Sequence, residues 1–289
     1  MQSRARSLVV APLFVALLGL GLASARQDDA KVERSPVAGV VSVLVSEGGG
    51  NIGVSDGADG LLIVDDQFER IAPAIEAALD TKAKGAPRFL VNTHHHGDHT
   101  DGNKHFGKLA TVVAHENVRT RMSGAEAPPQ ALPIVTFADG LSLHFNGEEI
   151  RLIHCPGAHT DGDTVVWFTG SKVVHLGDLY FQVGYPFIDV ASGGSVRGII
   201  AGVKQVLALV PADTRFVPGH GEVTGKDGLV EYLEMLETIT ERVQEHLAQG
   251  DDVATMLSVG VTEDFDERWG RFDFVPPRAF VESVVASLK

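Results

Sequence analysis

The sequence predicts an α/β fold in which two mixed sheets pack face to face with helices outside, an αβ/βα four-layer sandwich. Three observations predict it. Short apolar runs bounded by Gly, Asp and Pro recur as strands, and stretches of helical periodicity divide them into two sets. The succession of strands, a helix, strands and helices then occurs a second time. With 289 residues, 44% hydrophobic and 21% charged, the chain can bury a full core, and disorder is not its default state.

Residues 1–25 stand apart. Arg4 and Arg6 precede an apolar run from Leu8 to Leu22, and Ala23-Ser24-Ala25 offers a small-residue cleavage site. That is the layout of a secretory signal peptide, and the run is short for the competing reading, a retained spanning helix. A periplasmic or secreted protein without stable membrane anchoring is therefore expected. Polar residues 26–36 read as a flexible leader, and residues 37–289 as a single domain. The only cysteine, Cys155, cannot form an internal disulfide and reads as a small buried apolar residue. The net charge of −14 becomes −16 once Arg4 and Arg6 leave with the signal segment. So acidic a surface argues against nucleic acid or an anionic membrane as partner and leaves a small-molecule substrate. Nothing in the sequence specifies an oligomeric state.

Within the domain, Val37–Val45 reads as a strand and Gly48-Gly49-Gly50 as a turn. Strands follow at Asn51–Val54 and Leu61–Val64, the latter ending in Asp65 and Asp66. Gln67–Lys82 is helical by the spacing of Ile71, Ile75, Ala78 and Leu79. Arg88–Asn92 and Thr111–His115 are strands, Glu116–Met122 a short helix and 123–131 an irregular loop. The second strand set is Ile134–Phe137, Leu141–Phe145, Glu149–His154, Thr164–Phe168 and Lys172–His175. A helix over Val196–Val210, a strand over Thr214–Val217, a long amphipathic helix over Leu229–Leu247 and a last helix over Arg278–Leu288 complete it.

The chemistry concentrates in Thr93-His94-His95-His96-Gly97-Asp98-His99, where the strand Arg88–Asn92 gives way to a glycine-punctuated loop. Alternate side chains of an extended segment share a side, so His94 and His96 face together and His95 faces away. Two imidazoles so placed can hold a divalent ion, and Asp98 with His99 can reach a second. Three further candidates sit at later strand ends: His159 in a Gly/Pro turn, Asp178 after Leu176-Gly177, and His220 in Pro218-Gly219-His220-Gly221. Alone, His159 is a turn histidine and Asp178 a turn cap. Their joint placement at successive strand ends is hard to explain without a shared site.

The run His-x-His-x-Asp-His over His94–His99, together with Asp65, His159, Asp178 and His220 in that order, resembles the signature of the metallo-β-lactamase fold superfamily. By that resemblance His94, His96 and His159 hold one metal and Asp98, His99 and His220 the other. Asp178 bridges them, and Asp65 steadies the ligand loops. Two zinc ions per chain are implied, with iron or manganese as alternatives. Such a pair can share and deprotonate a water, which Asp98 would orient as a hydroxide nucleophile. Known members cleave β-lactams, thioesters, lactones and phosphodiesters, so fold alone does not select a substrate. The bridging Asp178 is similar to the thioesterase, lactonase and phosphodiesterase branches, whereas the main zinc β-lactamase group carries Cys there. The expected activity is therefore an exported hydrolase of an ester, lactone, thioester or amide-type bond. β-Lactamase activity is the first alternative and a mononuclear iron persulfide dioxygenase the second. Tyr180, Phe181, Tyr185 and Phe187, just after Asp178, are expected to wall the substrate pocket. His95, His105, His115, His144, His154, His175 and His246 match no ligand position and read as structural.

Overall fold

Along several strands both faces are apolar, which requires something to pack on each side. Leu62 and Val64 point one way and Leu61 and Ile63 the other; Val166 and Val173 oppose Val165 and Val174 in the same manner. The computed structural model describes residues 31–288, so the predicted signal segment and the start of the leader lie outside the described residues. The first sheet has seven strands in sequence order: β1 (Val32–Ala38), β2 (Val41–Ser46), β3 (Ile52–Gly57), β4 (Gly60–Val64), β5 (Phe89–Val91), β6 (Thr111–His115) and β7 (Val135–Phe137). It is antiparallel from β1 to β4 and parallel from β4 to β7. The second sheet has β8 (Gly140–Phe145), β9 (Glu148–His154), β10 (Thr164–Phe168), β11 (Val173–His175) and β12 (Arg215–Val217), in the order β12-β11-β10-β9-β8. Only its β11–β12 pair is parallel.

Leu62, Val64, Val91 and Val113 of the first sheet meet Leu152, Val166, Val173 and Val217 of the second, forming the layer between them. Outside the first sheet lie α1 (Ala72–Leu79) and α4 (Asn103–Phe106), through Ile75, Leu79 and Phe106. Outside the second lie α6 (Val196–Leu209), α7 (Lys226–Gln249) and α10 (Pro277–Leu288). Burying each such Val, Leu or Ile favours the fold by about 1.5–3 kcal/mol. The apolar face of α7 (Leu229, Tyr232, Leu236, Ile239, Val243) is consumed inside the chain against α6 and α10. The αβ/βα sandwich is the fold of this protein.

Local departures have local causes. Residues 32–36, expected in a flexible leader, belong to β1, an edge strand whose polar side chains are satisfied across the sheet. Arg34 pairs with Asp56 at 2.9 Å and donates to Ser42 at 2.8 Å. The single strand expected over Val37–Val45 turns at Gly39, where φ is +56°. The helix expected over Gln67–Lys82 is broken at Asp80, whose left-handed backbone (φ +57°) separates α1 from α2 (Thr81–Lys84). Short helices α3 (Gly97–Thr100) and α4 occupy the loop after the histidine cluster. α5 (Glu116–Gly124) runs two residues past its expected end, and Pro129–Ala131 adds a 3-10 turn. The stretch after α7, unassigned from sequence, holds α8 (Val253–Ser258) and α9 (Glu263–Trp269). Among the described residues no helix is long and apolar enough to cross a membrane.

Candidate metal centre

β4, β5, β11 and β12 all finish at one edge of the sandwich, and the loops they feed carry the candidate ligands. Asp65 organises the first of these loops. Fully buried at the end of β4, it accepts from the Thr93 backbone N–H (2.8 Å), the Thr93 hydroxyl (2.7 Å) and His99 Nδ1 (2.8 Å). Pro218-Gly219-His220-Gly221 passes close on the other side. A Cβ on Gly219 would stand 2.0 Å from Asp178 Oδ1, so glycine is the residue that lets this turn approach.

Two sets of ligand atoms result. His94, His96, His159 and Asp178 converge in one, and Asp98, His99 and His220 in the other, the atoms of each lying within 4.8 Å of one another. Asp178 stands between the sets. Its Oδ1 is 3.2 Å from His99 Nε2 and 3.5 Å from His220 Nε2, while Oδ2 is 3.6 Å from His159 Nε2 and 3.9 Å from His94 Nε2. Asp98 Oδ2 closes the second set, 3.1 Å from His220 Nε2. His95 points out of both, its Nε2 3.5 Å from Ser192 Oγ, and falls instead in a third, more exposed grouping with His96 and Asp189.

The outer nitrogens of the imidazoles decide what the inner ones can do. Thr93 gives its hydroxyl proton to Asp65, so it can only accept from His94 Nδ1 at 3.0 Å. His99 Nδ1 donates to Asp65, His159 Nδ1 to the Phe187 carbonyl (2.7 Å), and His96 Nε2 to Asp189 (3.0 Å). The inner nitrogens of His94, His96 and His159 are then left with bare lone pairs. His94 Nε2 is buried without a partner, and His96 Nδ1 faces His159 Nε2 at 2.9 Å, two acceptors turned on each other. Only a cation between them relieves that arrangement, and neutral imidazoles held by outer hydrogen bonds are what a transition metal binds. The residues fit two divalent ions. Asp189, 93 positions from His96, is a member of the site that sequence reasoning missed.

Charge agrees with geometry at the first ligand set, and at the second the acids hold a proton on His99 that a metal would displace. Burial, with His99 nearby, holds His94 well below the ordinary imidazole value, and burial takes His159 down to about 4. For His99 burial pulls downward, but Asp178 and Asp65 outweigh it and raise the ring well above its usual value. Burial opposes ionisation of Asp178, yet His99 and His220 keep its carboxyl well below the usual range. A group with a depressed imidazole pKa binds its proton more readily in the unfolded chain. His159 therefore contributes stability that is present above about pH 6.5 and lost as pH falls toward 4, roughly 3 kcal/mol, and His94 acts in the same direction. His99 has the opposite sign, its contribution being lost only as pH rises through its elevated folded value. The metal-free protein should accordingly lose thermal stability as pH falls from 6.5 toward 4, whereas the metal-loaded protein should hold its ions until the folded-state ligands themselves protonate, at about pH 4 or below. A melting temperature that is flat or rising on acidification would contradict neutral His94 and His159.

A cavity of about 380 Å³ opens onto the cluster and is lined by His96, Asp98, Asp178 and His220. Its remaining walls include Phe181 and Phe187, as expected, and Phe272 and Phe274, which were not anticipated. Tyr180 and Tyr185 correct the expectation. Both are fully buried in the helical core: Tyr180 packs on Tyr232, and Tyr185 stacks on Phe280 and donates to Asp266 at 2.8 Å. His175 and Cys155 are buried, the former against the Asn51 carbonyl, and burial pushes the Cys155 thiol up to about 12.

Comparison with known proteins follows the same line. The chain is 31% identical over 137 residues to a hydroxyacylglutathione hydrolase of Nitrosococcus oceani, covering 45% of this chain and 47% of that one. It is also 31% identical over 183 residues to one of Halorhodospira halophila, 63% of this chain and 64% of that one. The chain thus spans about half to two thirds of the length of these relatives. In structure it is similar to a metallo-beta-lactamase from Pontibacter korlensis, with a TM-score of 0.63 at 18% identity over 72% of this chain and 99% of that one, a likeness of fold. The family model of the metallo-beta-lactamase superfamily matches residues 45–225, the segment that supplies every converging ligand. This chain belongs to the metallo-beta-lactamase superfamily, a family of hydrolases.

Proposed function

We propose that the protein is an exported, zinc-dependent hydrolase that cleaves an ester, lactone, thioester or amide-type bond, of which a thioester has the most support. One observation carries the reading: the Asp178 carboxylate turns one oxygen toward His94 and His159 and the other toward His99 and His220. In this reading His94, His96 and His159 hold one ion, Asp98, His99 and His220 the other, and Asp178 both. When bound, two such ions polarise a carbonyl oxygen and bring the pKa of water down to about 7. The chain's own groups do the rest. Asp65, Asp189 and the Phe187 carbonyl fix ring tautomers. Asp98, partly exposed at the cavity floor, accepts a hydrogen bond from the attacking water and aims it. The names of the relatives favour the thioester class, since hydroxyacylglutathione is one. Export rests on the layout of residues 1–25 alone, and an N-terminus following Ala25 in the secreted protein tests it.

Elemental analysis of the protein, produced in medium carrying both zinc and iron, tests the reading. About two zinc per chain is expected, removable by chelator with loss of hydrolysis and restored on zinc addition. One iron per chain with little zinc would overturn it and move the search to the persulfide dioxygenase alternative.

A further inference from the structure

The walls above the cluster say more than the cluster does. Four phenylalanines form an unbroken arc from one ligand set to the other. Phe181 lies 4.9 Å from the His220 ring, Phe272 5.7 Å from Phe181, Phe274 6.1 Å from Phe272, and Phe187 5.8 Å from Phe274 and 6.0 Å from His96. Three of them remain open to solvent: Phe187 at 38%, Phe272 at 37% and Phe274 at 64%. Exposed aromatic rings gathered at the mouth of a site mark it for apolar contact. The arc is built in: Gly184, where a Cβ would come within 2.7 Å of the Phe272 Cβ, lets Phe272 lie over Phe181.

A second cavity, of about 590 Å³, adjoins the first and shares Gly48, His220 and Phe272 with it. Val43, Val45, Val183 and Val223 give it an aliphatic wall. The ligand cluster therefore floors the first lobe and reaches the second through His220, which leaves space for a group on each side of a scissile bond. Among the described residues lining either lobe there is no Lys or Arg, while Asp98, Asp178 and Glu222 are acidic. Away from the ligand set no side chain there compensates a substrate carboxylate, and a chain of net charge −14 repels one at a distance.

Resting on the hydrolase reading, we propose that the cleft selects uncharged substrates with an apolar arm on each side of the scissile bond. An aryl or alkyl acyl group sits under the phenylalanine arc and a neutral leaving group in the valine lobe. Glutathione thioesters, whose leaving group carries two carboxylates, are disfavoured, so this chain parts from its named relatives in leaving group and keeps their bond type. Hydrolysis adds water across the acyl–sulfur bond, giving a carboxylic acid and a thiol with no change of oxidation state.

The test compares one acyl group on two thiols, using the metal-loaded full chain: the phenylacetyl thioesters of N-acetylcysteamine, which is uncharged, and of glutathione. At low salt, kcat/KM should favour the uncharged thioester by about tenfold or more. Phe187→Ala should lower the preference for phenylacetyl over acetyl thioesters of N-acetylcysteamine by about fivefold, mainly through KM. Equal or better turnover of the glutathione thioester would overturn the proposal and leave the hydrolase reading standing. An unchanged acyl preference in Phe187→Ala would overturn the aromatic seat. No turnover of either thioester would overturn the proposal and the preference for a thioester bond, with the hydrolase reading itself tested by the metal content and by ester, lactone and amide substrates.

Discussion

Replacing Asp178 by asparagine should cost turnover about 10³-fold or more, equivalent to about 4 kcal/mol of transition-state stabilisation, and should lower the metal content of the purified protein. The two side chains have nearly the same shape, so packing is untouched. What changes is charge at the one position from which a single carboxylate reaches both ligand sets, and a neutral amide turns an N–H₂ toward one of them. His96→Ala should behave alike, because His96 Nδ1 is an inward-facing atom whose ring is held by Asp189. His95→Ala is the control. Although it sits between His94 and His96 in sequence, its ring faces Ser192, and the variant should keep more than about a tenth of wild-type activity. Comparable damage in all three, read by kinetics and elemental analysis together, would mean that the ligands have been assigned wrongly.

The contrast between His95 and His96 shows why the converging residues are legible in the amino-acid sequence. Extended backbone fixes side-chain direction with a period of two, and apolar runs mark strand ends, so ligand type and position can be read together. His94, His96, Asp98, His99, His159, Asp178 and His220 all lie within a few residues of such an end, and all seven come together. Asp189 is not legible, because its partner His96 is 93 residues away and no local pattern marks the pairing. Its one local signal, an acid three residues before Ser192, describes only the turn that it caps. Phe272 and Phe274 are hidden for a similar reason. They follow α9 in a short irregular stretch, and their contact with Phe181 and Phe187 exists only once α7 and α9 are folded back over the second sheet. Tyr180 and Tyr185 fail in the opposite direction. Nearness to Asp178 in sequence suggests a pocket wall, but Tyr180 is buried against Tyr232 of α7 and Tyr185 against Phe280 of α10, contacts that no local pattern marks. Edge strand β1 escapes because satisfied polar side chains on an edge read like a solvated tail.

Asp65→Asn should weaken metal binding by about 10–100-fold and destabilise the fold by about 2–4 kcal/mol. The backbone gives no reason for such an effect. Asp65 has a left-handed conformation (φ +63°), which Asn accepts as readily as Asp. The reason lies in donor count. Three donors converge on this carboxylate: the Thr93 N–H, the Thr93 hydroxyl and His99 Nδ1–H. An amide has one oxygen, so in either orientation its N–H₂ meets a donor. Facing the Thr93 N–H, it leaves two buried donors opposed with no rotor to adjust. Facing His99, it drives that ring to carry its proton on Nε2, the atom turned toward Asp178 and His220. Either way the second ligand set loses its lone pair or its placement. Competition of the variant with a chelator of known affinity reads the first effect, and chemical denaturation with and without zinc reads the second. Asp65→Asn should lose more stability in the presence of zinc than in its absence, because the loaded protein has binding free energy to forfeit as well. A variant that holds zinc within about twofold of wild type would make Asp65 a turn residue only, and the histidine loop would have to be positioned by its strands alone.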